Sequence, residues 1–167
     1  MRVIEPVVKL RSPPKIKVLE ALGAIVDGRI KQVGEGDYVV VSSDGYRKYS
    51  VHVDLERGIA DSTDNGTTYK GYMGYPIISV LMLKGVLPYN SKIANALKGI
   101  KWKELNDKYK RYEIVMEIVK NAARRGGVEP YEVDAYVEDI MKRLEGIRLS
   151  TGDGRKREEA GPRGGKQ

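Results

Sequence analysis

The hydrophobic period of this chain changes twice, and that change most constrains the fold. Residues 12–28 carry apolar side chains three and four apart, which predicts a helix begun by Ser12 and ended by Gly28. Residues 29–62 switch to short runs with a period of two, separated by glycine-containing turns, and helical spacing returns from residue 76. We therefore expect one helix, then an antiparallel meander of four strands, then several helices.

The third predicted strand shows the clearest alternation. Residues 43–46 before it fit a two-residue hairpin turn. A strand points successive side chains to opposite faces, so one set is expected in the core and the other on a polar face. The expected inward set is Tyr49, Val51, Val53 and Leu55, and the outward set is Tyr46, Lys48, Ser50, His52 and Asp54.

The second half of the chain predicts helices only. Residues 101–125 read as one long amphipathic helix, and a last helix begins at Glu129. Its apolar seam could pack inside its own domain or pair two copies, which gives a possible homodimer through the helix 131–147. The predicted class is α+β, a four-stranded antiparallel sheet cradled by about four to five helices in one domain of residues 1–149. The tail, residues 150–167, has no large apolar residue and is expected to be disordered and basic.

Composition argues against several kinds of site. The chain has no cysteine and one histidine, His52, so we expect no metal and no cofactor. No apolar run approaches the roughly 20 residues that cross a bilayer, and the first residues lack a signal-peptide pattern, so a cytoplasmic protein without a membrane partner is expected. The scarcity of glutamine and the wealth of Lys, Arg, Glu, Val and Ile are typical of a thermophile.

The positive charge is concentrated in one segment. The net charge of the chain is +7, and residues 84–125 hold eleven Lys and Arg against four Asp and Glu, a difference of +7. A basic segment of this kind is typical of a protein that meets a polyanion.

The aromatic residues are the second part of that hypothesis. Phenylalanine is absent and tyrosine occurs eleven times, so nearly every ring has a polar tip that tolerates water. Bases stack on such rings while cations follow the phosphates. We therefore predict non-enzymatic binding of single-stranded nucleic acid, preferably DNA. The candidate contacts are Tyr46, Lys48, His52, Tyr69, Lys70, Tyr72, Lys101, Lys103, Lys108, Lys110 and Arg111.

Other interpretations stay open. Tyr72 and Tyr75 could cap the core, and Trp102 is expected in the core. The ligand could be RNA, or the acidic last helix could dock a basic protein partner. A metal-dependent nuclease using Asp54 and Asp61 is a further alternative, although no catalytic or phosphate-binding motif accompanies them.

Two resemblances bear on these alternatives. The stretch from residue 49 to residue 87 resembles a SWIM zinc module, but Ala60, Ser62, Tyr69 and Gly71 stand at the four ligand positions, so zinc is excluded. The order of elements over residues 12–149 resembles the archaeal single-stranded DNA-binding family ThermoDBP. That resemblance implies a basic, partly apolar cleft on the sheet for single-stranded DNA, and dimers through a C-terminal zipper.

Overall fold

The fold is α+β, as predicted, in a computed structural model that describes residues 7–152. Within these residues, six α-helices, four strands and one π-helical turn follow one another. In chain order they are α1 (Ile16–Val26), β1 (Ile30–Gly34), β2 (Asp37–Val41), β3 (Lys48–Asp54), β4 (Ile59–Ser62), the π-helical turn (Gly66–Lys70), α2 (Tyr75–Leu83), α3 (Ser91–Ala96), α4 (Trp102–Tyr109), α5 (Tyr112–Arg125) and α6 (Pro130–Glu145). Residues 150–152 of the predicted disordered tail are instead hydrogen bonded to Gly58, Val8 and Asp61, and the rest of that tail, residues 153–167, lies outside the described residues.

The first helix begins one turn later than predicted. It starts at Ile16, and Ser12 does not cap it. Pro13 is followed by Pro14, and a residue before proline is pushed away from the helical region, so the helix can form only after this pair. Five larger α1 side chains are buried in the core: Ile16, Val18, Leu19, Leu22 and the charged Glu20.

The sheet is an antiparallel meander in the order β1-β2-β3-β4, with helices packed on one face. Tyr49, Val51 and Val53 of β3 are buried, which confirms the predicted alternation, whereas Leu55 lies past the strand end and is exposed. The predicted two-residue turn is wrong: Ser42 pairs with Arg47 across a four-residue loop. The carboxylate of Asp44 organises this loop by accepting from the Ser42 hydroxyl and the Tyr46 amide.

The helices form two layers over the sheet. Helix α2 packs on β3 and β4, helix α1 packs on α2, and α3, α5 and α6 surround α1. Six of the nine residues of α2 are apolar and buried, which confirms the prediction of a buried helix. No helix within residues 7–152 is long and apolar enough to cross a membrane.

The long helix predicted over residues 101–125 is two helices. Lys110 adopts a left-handed backbone with φ of 60°, and its amide closes α4 on the Asn106 carbonyl at 3.2 Å. Arg111 is extended, and α5 begins at Tyr112. Left-handed backbone is costly for a residue with a Cβ, so sequence patterns that rely on glycine and proline miss this break.

The seam of α6 is buried within its own chain. Val133, Val137, Ile140 and Leu144 are at most 3% exposed. A homodimer through the helix 131–147 would have to use other faces of α6, and it stays a prediction. The acidic side chains of α6 are also engaged: Lys92 meets Glu132, Lys120 meets Asp134 and Lys15 meets Glu138, each at 2.7–2.9 Å.

Candidate nucleic-acid interface

The outer face of the sheet is polar, as the alternation in β3 predicts, and its charged groups are of both signs. Strand pairing brings three carboxylates and two lysines to this face, so it carries no excess of cations. Nδ1 of His52 lies 2.8 Å from the Asp37 carboxylate. The sheet tyrosines Tyr38 and Tyr49 point into the core. The charged groups are Asp37, Asp54, Asp61, Lys31 and Lys48.

Asp54 and Asp61, the residues of the nuclease alternative, lie on the same face. Asp61 pairs across the strands with His52, and Asp54 pairs with Ile59. Among the residues that the structure describes, no group of three or more His, Asp and Glu side chains could hold a metal ion.

The aromatic and basic residues converge instead on a cavity of about 320 Å³, which we call the tyrosine cavity. It opens where α1, the β2–β3 loop, the π-helical turn and the break between α4 and α5 meet. Its rings are Tyr49, Tyr72, Tyr75, Trp102 and Tyr112, and its cations are Lys17, Arg29, Lys70, Lys103, Lys110 and Arg111. With three carboxylates, Glu20, Asp64 and Asp107, the lining has a net charge of +3 (six minus three).

Five of the eleven predicted contacts line the tyrosine cavity, and six do not. Lys70, Tyr72, Lys103, Lys110 and Arg111 belong to its lining. Tyr46 and Tyr69 lie outside it but are 89% and 66% exposed. Lys48 and His52 lie on the outer sheet face, Lys101 is exposed before α4, and the Lys108 ammonium lies 5.3 Å from the centre of the Tyr109 ring.

The structure corrects the prediction for Tyr72, whose ring was expected to be exposed and to stack with a base. It is only 7% exposed, and its ring covers Gly66 so closely that a Cβ there would lie 2.3 Å from the ring. It lines the tyrosine cavity together with Tyr112. Tyr72 is therefore part of the wall, and the alternative that it caps the core fits better. Trp102 is in the core, as expected, at 3% exposure.

A buried carboxylate holds the loop that carries these tyrosines. Asp64 accepts from the amide and the hydroxyl of Thr67, at 3.1 and 2.9 Å, and the Thr67 hydroxyl accepts from the amide of Gly74 at 3.1 Å. These bonds tie the start of the π-helical turn to the start of α2. The rim of the cavity is thereby fixed to the core.

The inner end of the cavity holds a charge pair that sequence reasoning missed. The Lys17 ammonium lies 3.1 Å from Glu20, which is 3% exposed, and Asn106 donates to the same carboxylate at 3.4 Å. Burial alone would lower the pKa of Lys17, but the nearby Glu20 carboxylate raises it above its ordinary value. Lys and Glu three apart on a helix usually form a solvated pair, so no sequence signal marks this one as buried.

The tyrosines of the cavity wall are held in their neutral form. Burial raises the pKa of Tyr75 to about 12, and it also raises the pKa of Tyr49 and Tyr72 above the ordinary value. The rings of Tyr49 and Tyr75 meet edge to face with centroids 6.2 Å apart. The wall is uncharged at neutral pH, so the charge of the cavity comes from its lysines, arginines and carboxylates.

The raised tyrosine pKa values predict a loss of stability in strong base. The unfolded chain titrates its tyrosines near pH 10, whereas the folded chain holds Tyr75 neutral to about pH 12. The stabilisation is complete below pH 10 and is lost as the pH rises toward 12, because the unfolded state then releases protons that the folded state keeps. Urea titrations from pH 8 to pH 12 should show the free energy of unfolding falling above pH 10. A constant free energy across that range would contradict this prediction.

The fold and the cavity define a class: an α+β domain with a ligand-sized, net-positive aromatic cavity beside its sheet. Residues 10–150 match the family described as Uncharacterised conserved protein UCP014422, and the chain belongs to that family. No curated protein and no solved structure gives a significant match. The resemblances to the ThermoDBP family and to the SWIM module therefore stay predictions.

Proposed function

We propose that the protein binds single-stranded nucleic acid, preferably DNA, at the tyrosine cavity and does so without catalysis. The observation that carries this proposal is the convergence of five aromatic side chains and a net charge of +3 on one cavity of about 320 Å³. Single-strand binders combine aromatic faces for bases with cations for the backbone. A paired and stacked base cannot enter such a cavity, which favours a single strand over a duplex.

The phosphates would meet the cations at the mouth. Lys70, Lys110 and Arg111 are exposed there. The ammonium groups of Lys70 and Lys110 form no ion pair within residues 7–152, so they are ready to bind an anion. The Lys103 ammonium lies 2.9 Å from the Asp107 carboxylate, so a phosphate would compete with that carboxylate for it.

The bases would stack on the exposed tyrosine rings beside the cavity. Tyr69 immediately precedes the rim residue Lys70, and Tyr46 follows the loop residue Ser43, whose hydroxyl accepts from the Lys103 amide at 2.8 Å. These two tyrosines are the most exposed rings near the mouth. Bases on either side of the cavity could lie against them.

Fluorescence anisotropy of labelled oligonucleotides tests the proposal. We expect single-stranded DNA to bind at low salt, with an affinity that falls by a log–log slope of about 0.7 per phosphate contacted. RNA and duplex DNA of the same sequence establish the preference. Absence of binding at low salt, or an affinity that does not change with salt concentration, would refute the proposal. Incubation with Mg²⁺ or Mn²⁺ should leave the strand intact, and shortened products would favour the nuclease.

Tyr69→Ala and Tyr72→Ala should separate contact from packing. Tyr69→Ala removes one exposed stacking ring, so we expect a loss of about 1–3 kcal/mol in single-strand binding with unchanged thermal stability. Tyr72→Ala removes a buried ring and should lower the free energy of unfolding by about 3 kcal/mol. Tyr131→Ala, which truncates a tyrosine that is 72% exposed on α6, is the matched control and should change neither quantity. Equal binding by Tyr69→Ala would remove that ring from the interface.

A further inference from the structure

A second cavity, of about 360 Å³, lies between the segment before α1 and the residues at the end of α6. Among the described residues, three cations line it, Lys9, Arg11 and Arg148, together with one carboxylate, Glu145. Its lining therefore has a net charge of +2 (three minus one). All four of these residues are exposed. We call this cavity the basic groove.

Two of the cations share one side of the chain because the segment before α1 is extended. Lys9 forms an antiparallel bridge with Ser150, and Arg11 forms a parallel bridge with Tyr72. Successive side chains of an extended chain point to opposite sides. Leu10 is accordingly buried in the core at 4% exposure, whereas the residues before and after it are exposed to solvent.

The floor of the basic groove is apolar. Leu10, Met73 and Leu144 are buried beneath the cations, and Ile147 is half-buried. No aromatic ring of residues 7–152 lines the groove, so it gives bases nothing to stack on. The tyrosine cavity offers both rings and cations, so the two sites would contact different parts of a nucleotide.

The cations of the basic groove are available to an anion. None of the three forms an ion pair within residues 7–152. The opposing charges are the Glu145 carboxylate and the C-terminal end of α6, where the helix carbonyls contribute about half a negative charge. Three positive charges exceed both together, so the groove attracts a polyanion.

Arg11 connects the basic groove with the tyrosine cavity. Its guanidinium donates to the carbonyl of Lys70, which belongs to the cavity lining. Its backbone is hydrogen bonded to Gly71 and to Met73, at 2.9 and 3.0 Å, and Met73 belongs to the groove lining. The two sites are therefore adjacent, and Arg11 and Lys70 lie where they meet.

We propose that the basic groove binds the sugar–phosphate backbone of the same single-stranded DNA that enters the tyrosine cavity, with Arg11 and Lys70 contacting the strand between the two sites. This inference rests on the proposed function and extends its interface to a second set of cations. Because the groove offers charge without rings, its contribution is independent of the bases and sensitive to salt. An acidic protein segment would also be attracted by this charge, but the adjacent tyrosine cavity favours nucleic acid.

Anisotropy with oligothymidylates of increasing length tests the basic groove. Single-strand-binding domains cover about 4 to 16 nucleotides, so a series over this range passes from oligonucleotides that fill only the cavity to oligonucleotides that also reach the groove. For Lys9→Ala combined with Arg148→Ala, we expect wild-type affinity for the shortest oligonucleotide. The longest should bind about tenfold more weakly at low salt, with a log–log slope lower by about 1.4 for two lost phosphate contacts. Wild-type affinity at every length would overturn the groove.

The matched control removes the same charge elsewhere. Lys31→Ala combined with Lys84→Ala changes exposed lysines on β1 and after α2, and neither residue lines the cavity or the groove. This control should bind oligonucleotides of every length nearly as the wild type does. If it weakened the longest oligonucleotide as much as the groove variant did, overall charge would explain the effect and the groove would have no role.

The groove variant is chosen to leave the cavity undisturbed. Arg11 is kept in it because the bond from its guanidinium to the Lys70 carbonyl also holds the cavity rim. Lys9 and Arg148 are exposed, so thermal melting should match that of the wild type. Should the alanines lower the melting temperature, Lys9→Gln combined with Arg148→Gln keeps most of each aliphatic stem and gives the same test.

Oligonucleotides that lack bases in one half distinguish backbone contacts from base contacts. Two are needed, with the abasic half at the 5′ or the 3′ end, because the strand can cross the two sites in either direction. One of them should bind the wild type as tightly as the intact oligonucleotide of the same length. If both bound only as tightly as the shortest oligonucleotide, the groove would recognise bases, and its assignment to the sugar–phosphate backbone would be wrong.

The same titrations separate this inference from the proposed function. If the wild type and the groove variant bind every oligonucleotide equally well, the groove fails and the proposed function stands. If no oligonucleotide binds the wild type at low salt, both fail. Polyglutamate probes the alternative partner: binding of polyglutamate that requires Lys9 and Arg148, beside oligonucleotide binding that does not, would assign the groove to an acidic protein segment instead.

Discussion

Removing the three exposed cations at the cavity mouth is expected to weaken single-strand binding by about two orders of magnitude at 50 mM salt. The variant is Lys70→Ala, Lys110→Gly and Arg111→Ala combined, which takes the lining from +3 to neutral. Each lost phosphate contact should lower the log–log salt slope by about 0.7, so the slope should fall by about 2. Glycine is chosen at position 110 because the backbone there is left-handed, and alanine would keep the strain.

A matched control removes the same charge elsewhere. Lys31, Lys84 and Lys142 are exposed lysines on β1, after α2 and on α6, and none lines the tyrosine cavity. Replacing all three by alanine lowers the net charge equally but should leave the salt slope nearly unchanged. If the control weakened binding as much as the mouth variant did, the attraction would come from overall charge, and the cavity would lose its role.

Gly74→Ala is expected to destabilise the fold about as strongly as Tyr72→Ala; both residues lie in the loop of residues 65–76, which we call the tyrosine loop. The backbone of Gly74 is extended, with φ of −69°, so alanine is allowed by its dihedral angles. A Cβ at this position would lie 2.0 Å from the buried carboxylate of Asp64, which cannot move without breaking its bonds to Thr67. Overpacking and lost charged hydrogen bonds together suggest a loss of about 3 kcal/mol in the free energy of unfolding.

Urea denaturation measures this loss, and Gly146→Ala is its control. Gly146 has a φ of −87°, and the nearest atom to an added Cβ is 3.5 Å away, an ordinary contact, so we expect a change within about 0.5 kcal/mol. Combining Gly74→Ala with Asp64→Ala should cost less than the sum of the two, since both disrupt the same contact. Strict additivity would show that the two residues act independently.

The periodic elements could be read from the sequence because burial on one face imposes a period. The inward set of β3 and the seam of α6 follow directly from apolar spacing. The break at Lys110 could not, because the chain contains neither glycine nor proline there. Contacts far along the chain fix α4 instead: the Lys103 amide donates to the Ser43 hydroxyl, and Asn106 donates to Glu20.

The candidate site was also predicted only in part, because contacts between residues far apart in the chain leave no local sequence pattern. Residues 98–111 and the tyrosine loop stand out by local composition, so four of the six cations that line the cavity were predicted. Lys17, Glu20 and Arg29 belong to an amphipathic helix and its end, where isolated charges usually face water. Contacts far along the chain hold them at the cavity: Asn106 of α4 donates to Glu20, and the Arg29 guanidinium donates to the Val41 carbonyl. The strand pairing that places Asp37 and Asp61 on either side of His52 on the outer sheet face likewise could not be read from the sequence.

The short segment before α1 joins distant parts of the chain. Val8 exchanges hydrogen bonds with Thr151, 143 residues away, while Arg11 bonds through its backbone to Gly71 and Met73 in the tyrosine loop. Closing a loop of that length costs much chain entropy and contributes little local contact, so these bonds should be among the last to form during folding. Residues 8–11 therefore connect residue 151 to the tyrosine loop, and we expect this loop to reach its final conformation only after these contacts have formed.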